Sequence, residues 1–153
     1  MLTPDARAPV VSAKPPPAIS GGTLLLTRDG VIAIAADPDR DRVSIVDLSA
    51  RRVLHQVALK EGDEPGRLVE DAAGRVHVVL RGAGEVATID IAGGTVVERA
   101  HACPSPRGIA YDPASDALYV ACMTGELVSL AASGGAVTRS VQVAPDLRDV
   151  VVH

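Results

Sequence analysis

The sequence predicts an all-β fold, an incomplete β-propeller with three four-stranded antiparallel blades and the first strand of a fourth. The first observation is a repeat: the segment that begins at Pro65 recurs at Pro106, 41 residues later, and Arg107 recurs as Arg148 at the same spacing. Repeats of this length are typical of stacked supersecondary units. The second observation is that each period contains four short apolar runs separated by turn residues, which indicates a propeller blade rather than a helical repeat.

Residues 23–62 are predicted to form blade one. Its strands are expected at residues 23–27, 31–36, 43–48 and 52–59. The run at 31–36 is apolar throughout, and a strand without polar alternation is expected to be covered on both faces by neighbouring sheets. The prolines and aspartates at 37–41 favour a turn, because they supply local hydrogen bonds and a fixed φ.

Blades two and three are predicted at residues 63–103 and 104–145. Blade two has apolar runs at 67–70, 75–80, 85–91 and 95–101, and blade three has them at 107–111, 117–122, 126–130 and 137–143. The last of these alternates valines with polar residues, which is typical of a half-exposed outer strand. Residues 146–153 remain, and 147–152 are predicted to be the first strand of a fourth blade.

The N-terminal segment differs in composition from the repeats. Residues 1–22 carry five prolines and close with Gly21 and Gly22, which favours a disordered linker. The first residues show no positive stretch followed by an apolar run, so a secretory signal peptide is not visible. No segment of the chain has the apolar length that a membrane span requires.

Charge and aromatic content argue against a nucleic-acid partner. The formal net charge is -4, and the Lys and Arg residues are scattered singly, whereas nucleic-acid-binding proteins carry a basic patch or stripe. Aromatic residues make up 1% of the chain, with Tyr111 and Tyr119 as the only ones. Bases and sugars therefore lack a stacking platform, and small aliphatic residues must fill the core.

Three blades in a row are expected to leave two apolar sheet faces without a neighbour. A blade buries each face only when another blade stacks on it, and soluble monomers rarely expose large apolar patches. Two kinds of partner could cover these faces. The chain is a fragment completed by the remaining blades of a larger propeller, or several copies of it associate and close a ring.

The two cysteines, Cys103 and Cys122, are predicted to approach each other within blade three. If the strand at 117–122 pairs antiparallel with the strand at 107–111, Cys122 lies near Pro106 and Cys103 lies one short loop away. Two states are open, a disulfide and a pair of buried free thiols. A disulfide would indicate an oxidising compartment.

Arg67, Arg107 and Arg148 occupy nearly the same repeat position, at the start of the innermost strand. In a propeller this position lies near one mouth of the central channel, where guanidinium groups can bind an anionic ligand or a partner. The alternative is structural. Each arginine then pairs with a nearby carboxylate, for which the candidates are Asp63, Glu64, Asp146 and Asp149.

The segments 118–122 and 125–130 resemble the YVTN-type repeat of seven-bladed β-propellers, as do residues 43–48 and 106–113. The resemblance covers residues 23–152 and departs from the usual pattern at Cys122 and at 76–80. It implies an exported or surface protein, periplasmic or on the cell surface, of a kind sometimes fused to c-type cytochrome domains. The haem attachment pattern Cys-x-x-Cys-His does not occur, so no haem or other cofactor is assigned to this chain.

No catalytic residues are predicted, because the chain contains no Gly-x-Ser-x-Gly elbow, phosphate-binding loop or His-Glu-x-x-His motif. No metal site is predicted either, since His55, His77, His101 and His153 fall at different repeat positions. The favoured function is a non-enzymatic binding or scaffold module for a protein or a small anionic ligand. The alternative is the propeller part of an exported redox enzyme whose haem or quinone lies on another domain or subunit.

Overall fold

A computed structural model describes residues 22–152, which contain three four-stranded antiparallel sheets. We refer to these sheets as blades one, two and three. Within the described range the only helix is a single 3-10 turn, Pro38–Arg40. The linker predicted at 1–22 lies outside the described residues, apart from Gly22.

Each blade is a meander in which strands consecutive in the chain are neighbours in the sheet. Blade one contains β1 (Leu24–Leu26), β2 (Ile32–Asp37), β3 (Arg42–Asp47) and β4 (Arg52–Ala58). Blade two contains β5 (Pro65–Glu70), β6 (Val76–Leu80), β7 (Glu85–Asp90) and β8 (Thr95–His101). Blade three contains β9 (Pro106–Asp112), β10 (Ala117–Cys122), β11 (Glu126–Ala131) and β12 (Val137–Gln142).

The predicted fold class is confirmed by this arrangement. Every strand of the three predicted blades is present, and each observed end lies within two residues of the predicted one. Turn residues explain this accuracy, because the chain reverses where glycines adopt positive φ, as at Gly74 between β5 and β6 and Gly84 between β6 and β7. Turn chemistry thus fixes the strand bounds more sharply than the apolar runs do.

One irregularity recurs in all three blades. The pairing between the third and fourth strands shifts after Ile45 in blade one, after Thr88 in blade two and after Ser129 in blade three. A bulge at this place increases the local twist of the outer strand. The three sheets are therefore structural repeats in detail, and not only in strand number.

The core consists of two layers, each lying between two successive blades. The first layer joins blades one and two through residues such as Ile34, Ile45, Leu68 and Ile89. The second joins blades two and three through another set of buried residues, among them Val79, Val86, Ile109, Leu118 and Leu130. Blade two is thus covered on both faces, and all five residues of β6 are buried.

Blades one and three are covered on one face only. In β2, Ile34 and Ala36 are buried against blade two, while Ala33 and Ala35 on the opposite face are only partly buried. The expectation that the apolar run 31–36 is covered on both faces is therefore wrong for the described chain, because no sheet stacks on its second face. Next to these alanines, Leu24 is 64% exposed and Leu26 is 55% exposed.

Blade three ends in an outer strand that is more exposed than expected. All six residues of β12 are exposed, so the predicted half-exposed alternation is wrong. The reason is that β12 lies at the edge of a sheet that has a neighbouring blade on one side only. Among the described residues, no blade therefore stacks on the alternating valines of β12.

Residues 147–152 do not form a regular strand in the described chain. A single strand has no ladder partner unless a second strand of the same sheet lies beside it, and no such strand is described after residue 146. The segment instead runs against β9: a Cβ atom built on Gly108 would lie 2.6 Å from the Cα atom of Asp149. It thus contacts the innermost strand of blade three at Gly108, and Asp149 also reaches Arg67 of blade two.

Candidate functional site

A cavity of about 510 Å³ opens at one end of the three blades, where their innermost strands begin. Four arginine side chains line it, and we call them the arginine rim: Arg67, Arg81, Arg107 and Arg148. The remaining lining residues are small or turn-forming, namely Gly22, Thr23, Pro38 and Gly66. Cationic groups therefore dominate the side-chain chemistry of the cavity.

The blade topology explains why these arginines share one end. In blade two, Pro65 at the start of β5 pairs with Leu80 at the end of β6. Arg67 near the start of the first strand and Arg81 just after the second therefore lie at the same end of the sheet. Blade three repeats this arrangement, since Pro106 at the start of β9 pairs with Cys122 at the end of β10, so that Arg107 also points to this end.

One carboxylate links two arginines of the rim. The Oδ1 atom of Asp146 accepts a hydrogen bond from Arg107 at 3.0 Å, and its Oδ2 atom accepts one from Nη2 of Arg148 at 2.8 Å. These bonds hold the pKa of Asp146 below its ordinary value, with the hydrogen bond from Arg148 as the main cause. Asp146 is therefore ionised throughout the neutral pH range.

The other two arginines also have acidic neighbours. An Nη atom of Arg67, in blade two, lies 3.2 Å from Oδ2 of Asp149, in the segment after blade three. Arg81 lies 3.8 Å from Glu64, at the outer limit of an ion pair. The sequence analysis left two roles open for these arginines, ligand binding and ion pairing. The ion pairs are present, and the same side chains line the cavity.

Asp63, which was a candidate partner for the rim, has a different role. Asp63 is 2% exposed, and its carboxylate accepts two hydrogen bonds of 2.7 Å from the guanidinium group of Arg99, in the outer strand β8. The hydrogen bonds from Arg99 lower the pKa of Asp63 in spite of its burial. Arg99 also donates to Glu85 at 2.6 Å, so its pKa is raised, mainly by Asp63.

Cys103 and Cys122 form a disulfide, as one of the two predicted alternatives requires. The pairing of Cys122 with Pro106 places the two cysteines together, in agreement with the predicted register. Just beyond the disulfide, the amide of Met123 donates to the carbonyl oxygen of Ser105. The disulfide therefore fixes the loop that leads into Arg107, next to the arginine rim.

Sequence reasoning missed a buried polar network between blades two and three. His77 is fully buried, and its Nε2 atom lies 2.9 Å from Oδ2 of Asp71, while its Nδ1 atom lies 3.0 Å from the hydroxyl of Thr88. Arg75 donates to the same carboxylate from Nε at 2.8 Å and to the carbonyl of Ala132 in blade three at 3.2 Å. All of these groups have partners, so the network supports the stacking of the two blades.

Arg81 was also missed as a member of the rim. It has no counterpart at its repeat position, which is held by Pro38 in blade one and Met123 in blade three. A usable signal exists, because the turn after the second strand of a blade lies at the same end as the start of the first strand. The three arginines that share a repeat position line the cavity together with Arg81.

Two further properties concern residues 22–152. No group of three or more histidine, cysteine, aspartate or glutamate side chains in this range is placed to hold a metal ion. No helix in the same range has the length and apolar character needed to cross a bilayer.

Solved structures with the same arrangement of blades are numerous, although no protein-family model and no curated protein sequence matches the chain. Hydrazine synthase of Kuenenia stuttgartiensis superposes with a TM-score of 0.76 at 18% identity, over 93% of this chain and 42% of that one. Virginiamycin B lyase of Staphylococcus aureus gives a TM-score of 0.68 at 14% identity, over 83% and 43%. The WD40 repeats of RRP9 give 0.69 at 12% identity, over 84% and 41%.

The chain has the fold of an incomplete β-propeller. Its solved neighbours are β-propeller and WD40-like proteins, and at this level of identity the likeness concerns the fold alone. The chain spans less than half the length of each of these three proteins. The open faces of blades one and three are the places at which its propeller is incomplete.

Proposed function

We propose that this chain is part of a larger β-propeller that acts as a binding or scaffold module, with the arginine rim as the contact surface at the channel mouth. The observation that carries the proposal is the cavity of about 510 Å³ lined by four arginines, at the end where the innermost strands begin. Rigid strands hold these side chains in place, and sites of this kind are common where a scaffold positions loops.

The remaining blades are the partners that the open faces require. Residues 23–62, 63–103 and 104–145 are the three blade units of the proposal, and 146–153 begin a fourth. Continuation of the chain is favoured over ring closure by copies, because Asp149 and Val150 already lie against Gly108 of β9. The first strand of another copy would have to occupy the same place.

An extracytoplasmic location belongs to the same proposal. The disulfide between Cys103 and Cys122 supports it, because such bonds persist in oxidising compartments. The YVTN-type character of the repeats, inferred from residues such as 118–122, also implies an exported or surface protein. We propose the periplasm or the cell surface as the site of action.

The alternative function is the propeller part of an exported redox enzyme whose haem or quinone lies on another domain or subunit. It rests on the resemblance of the repeats to those of propellers that are sometimes fused to c-type cytochrome domains. An absorption spectrum of the protein purified from its own cells separates the two functions. A co-purifying coloured cofactor favours the redox enzyme, and a colourless protein favours the binding module.

A thermal-shift screen of charged and neutral small molecules tests the binding function. We expect at least one anion to raise the melting temperature of the protein, and the double variant R107A/R148A to lose this effect while keeping its fold by circular dichroism. R139A, which removes an exposed arginine of β12, is the matched control. The proposal fails if no compound stabilises the protein, or if every stabilising compound acts equally on the double variant.

A further inference from the structure

We infer that the arginine rim recognises a small ligand with two carboxylate groups, and that Asp146 and Asp149 occupy the places of these groups when no ligand is bound. This inference rests on the proposed function and adds the chemical class of the ligand. It follows from the positions of the two aspartates, from the few backbone hydrogen bonds of their segment and from the charge of the rim.

The first carboxylate position lies between Arg107 and Arg148. The two oxygen atoms of Asp146 accept hydrogen bonds from different guanidinium groups, at 3.0 Å from Arg107 and 2.8 Å from Arg148. Arginine suits such planar, charge-assisted bonds to a carboxylate. A ligand carboxylate can make the same contacts, so the spacing of the two guanidinium groups is already set for one such group.

The second position lies at Arg67. This side chain comes from blade two, and Asp149 reaches it at 3.2 Å from the segment after blade three. The two aspartates are separated by only two residues in sequence, so the two carboxylate positions are close in space. A single small molecule with two or three carboxylates can therefore occupy both at once.

The segment that carries Asp149 has few backbone hydrogen bonds. Backbone hydrogen bonds fix its beginning, from the amide of Val143 to Gly125 and from the amide of Asp146 to Met123. Among the described residues no further backbone bond fixes 147–152, where the amide of Val150 donates only to the side chain of Asp149. The backbone of Asp149 packs against Gly108 of β9, so a ligand needs to displace only the Asp149 side chain. That displacement breaks the ion pair with Arg67 and the hydrogen bond from the Val150 amide.

The charge of the rim favours an added anion. Four arginines face three carboxylates, those of Glu64, Asp146 and Asp149. The pairs are partly exposed, with 73% exposure for the Arg148 side chain and 52% for that of Asp146, and exposed pairs are worth little. Exchanging Asp146 or Asp149 for a ligand carboxylate thus costs little and leaves a net positive rim to attract it.

Titration calorimetry with succinate, citrate and acetate at one ionic strength tests the inference. We expect citrate and succinate to bind at least about tenfold more tightly than acetate, because two carboxylates engage separate guanidinium groups. The variant R107A/R148A should weaken succinate binding by about tenfold or more, while R139A should leave it unchanged. The variants D146N and D149N should each strengthen it severalfold, because they remove a competing carboxylate.

Three results would overturn the inference. The first is that succinate binds no more tightly than acetate, and the second is that D149N does not strengthen binding. The third is that inorganic tripolyphosphate binds, and loses affinity in R107A/R148A, while dicarboxylates do not bind. D149N carries the test if D146N fails to fold, because Asp149 lies beyond the last backbone hydrogen bond of the segment. The tripolyphosphate result would contradict the proposed ligand class but would leave the proposed binding function intact. If R107A/R148A bound every anion as tightly as the parent protein does, both proposals would fail.

Discussion

The Nε2 atom of His77 lies 2.9 Å from the Oδ2 atom of Asp71, and both side chains are fully buried between blades two and three. Burial is the main cause that lowers the pKa of His77, although Asp71 opposes it. The pKa of Asp71 is lowered as well: burial alone would raise it, and the hydrogen bonds from His77 and Arg75 outweigh that effect. At neutral pH the pair therefore consists of a neutral imidazole and a carboxylate.

The stability of the chain should fall as the pH falls below the ordinary pKa of histidine, 6.5. His77 has a lowered pKa in the folded state, so the unfolded chain binds a proton first. Its contribution is complete above 6.5 and is lost as the pH falls towards the lower folded value. The charged groups facing it are Asp71, Arg75 and Glu98. Denaturant midpoints between about pH 8 and about pH 5 measure the effect.

The matched variants for this prediction are H77Q and H101Q. H77Q should flatten the dependence between pH 8 and pH 5, and H101Q, which changes an exposed histidine, should keep it. An unchanged slope in H77Q would show that other groups control stability in this range. The lowered pKa of Asp71 acts in a separate window, below 3.8.

Removing the guanidinium group of Arg99 should destabilise the fold. R99M leaves Asp63 as a buried carboxylate without its two hydrogen bonds of 2.7 Å, and we expect a loss of about 3 kcal/mol in the free energy of unfolding. The double variant D63N/R99M should lose less than R99M alone, because no unpaired charge remains. Chemical denaturation of R99M, D63N and D63N/R99M measures these losses, and a double variant whose loss equals the sum of the two single losses would contradict the pairing.

The disulfide should contribute measurably to stability. It joins residues 19 positions apart, and closing a loop of that size is worth about 3 kcal/mol in the chain-entropy account. A reducing agent should lower the free energy of unfolding of the parent protein by this amount, and its unfolding midpoint accordingly. The variant C103A/C122A serves as the control, since a reductant should leave its midpoint unaffected. Equal sensitivity of both proteins would mean that the reductant acts elsewhere.

An aspartate should destabilise the fold strongly on a covered blade face and only slightly on an open one. Val78 and Ala35 hold equivalent places, because Val78 pairs with Leu68 and Ala87 while Ala35 pairs with Leu24 and Ser44. V78D places a charge in the core and should cost about 4 kcal/mol or more. A35D places it on the open face and should change the free energy of unfolding by no more than about 0.5 kcal/mol. Comparable losses would show that both faces are buried.

The strands and the proximity of the two cysteines could be predicted from sequence because local rules determine them. The repeat at Pro65 and Pro106 aligned the blades, and turn residues gave the strand ends. Once β9 and β10 were paired antiparallel, the proximity of Cys103 and Cys122 followed from register alone.

The remaining features depend on which blade faces are covered by a neighbouring blade, and a repeat pattern does not give this information. The apolar run at 31–36 looked like a doubly covered strand, but among the second strands of the three blades only β6, in the middle blade, has every residue buried. His77 looked like one histidine among several, and its burial follows from its place between two blades. Arg81 could not be found from the repeat, because the corresponding positions in the other blades hold no arginine. Only the fold places it beside the cavity.

Light scattering of the purified chain over a range of concentrations tests the central claim, that this is a ring segment with two uncovered blade faces. We predict an average mass that rises continuously with concentration, and that rises less in A35D because a charge now lies on the open face of blade one. A single mass at all concentrations, whether of a monomer or of a closed dimer or trimer, would contradict the account.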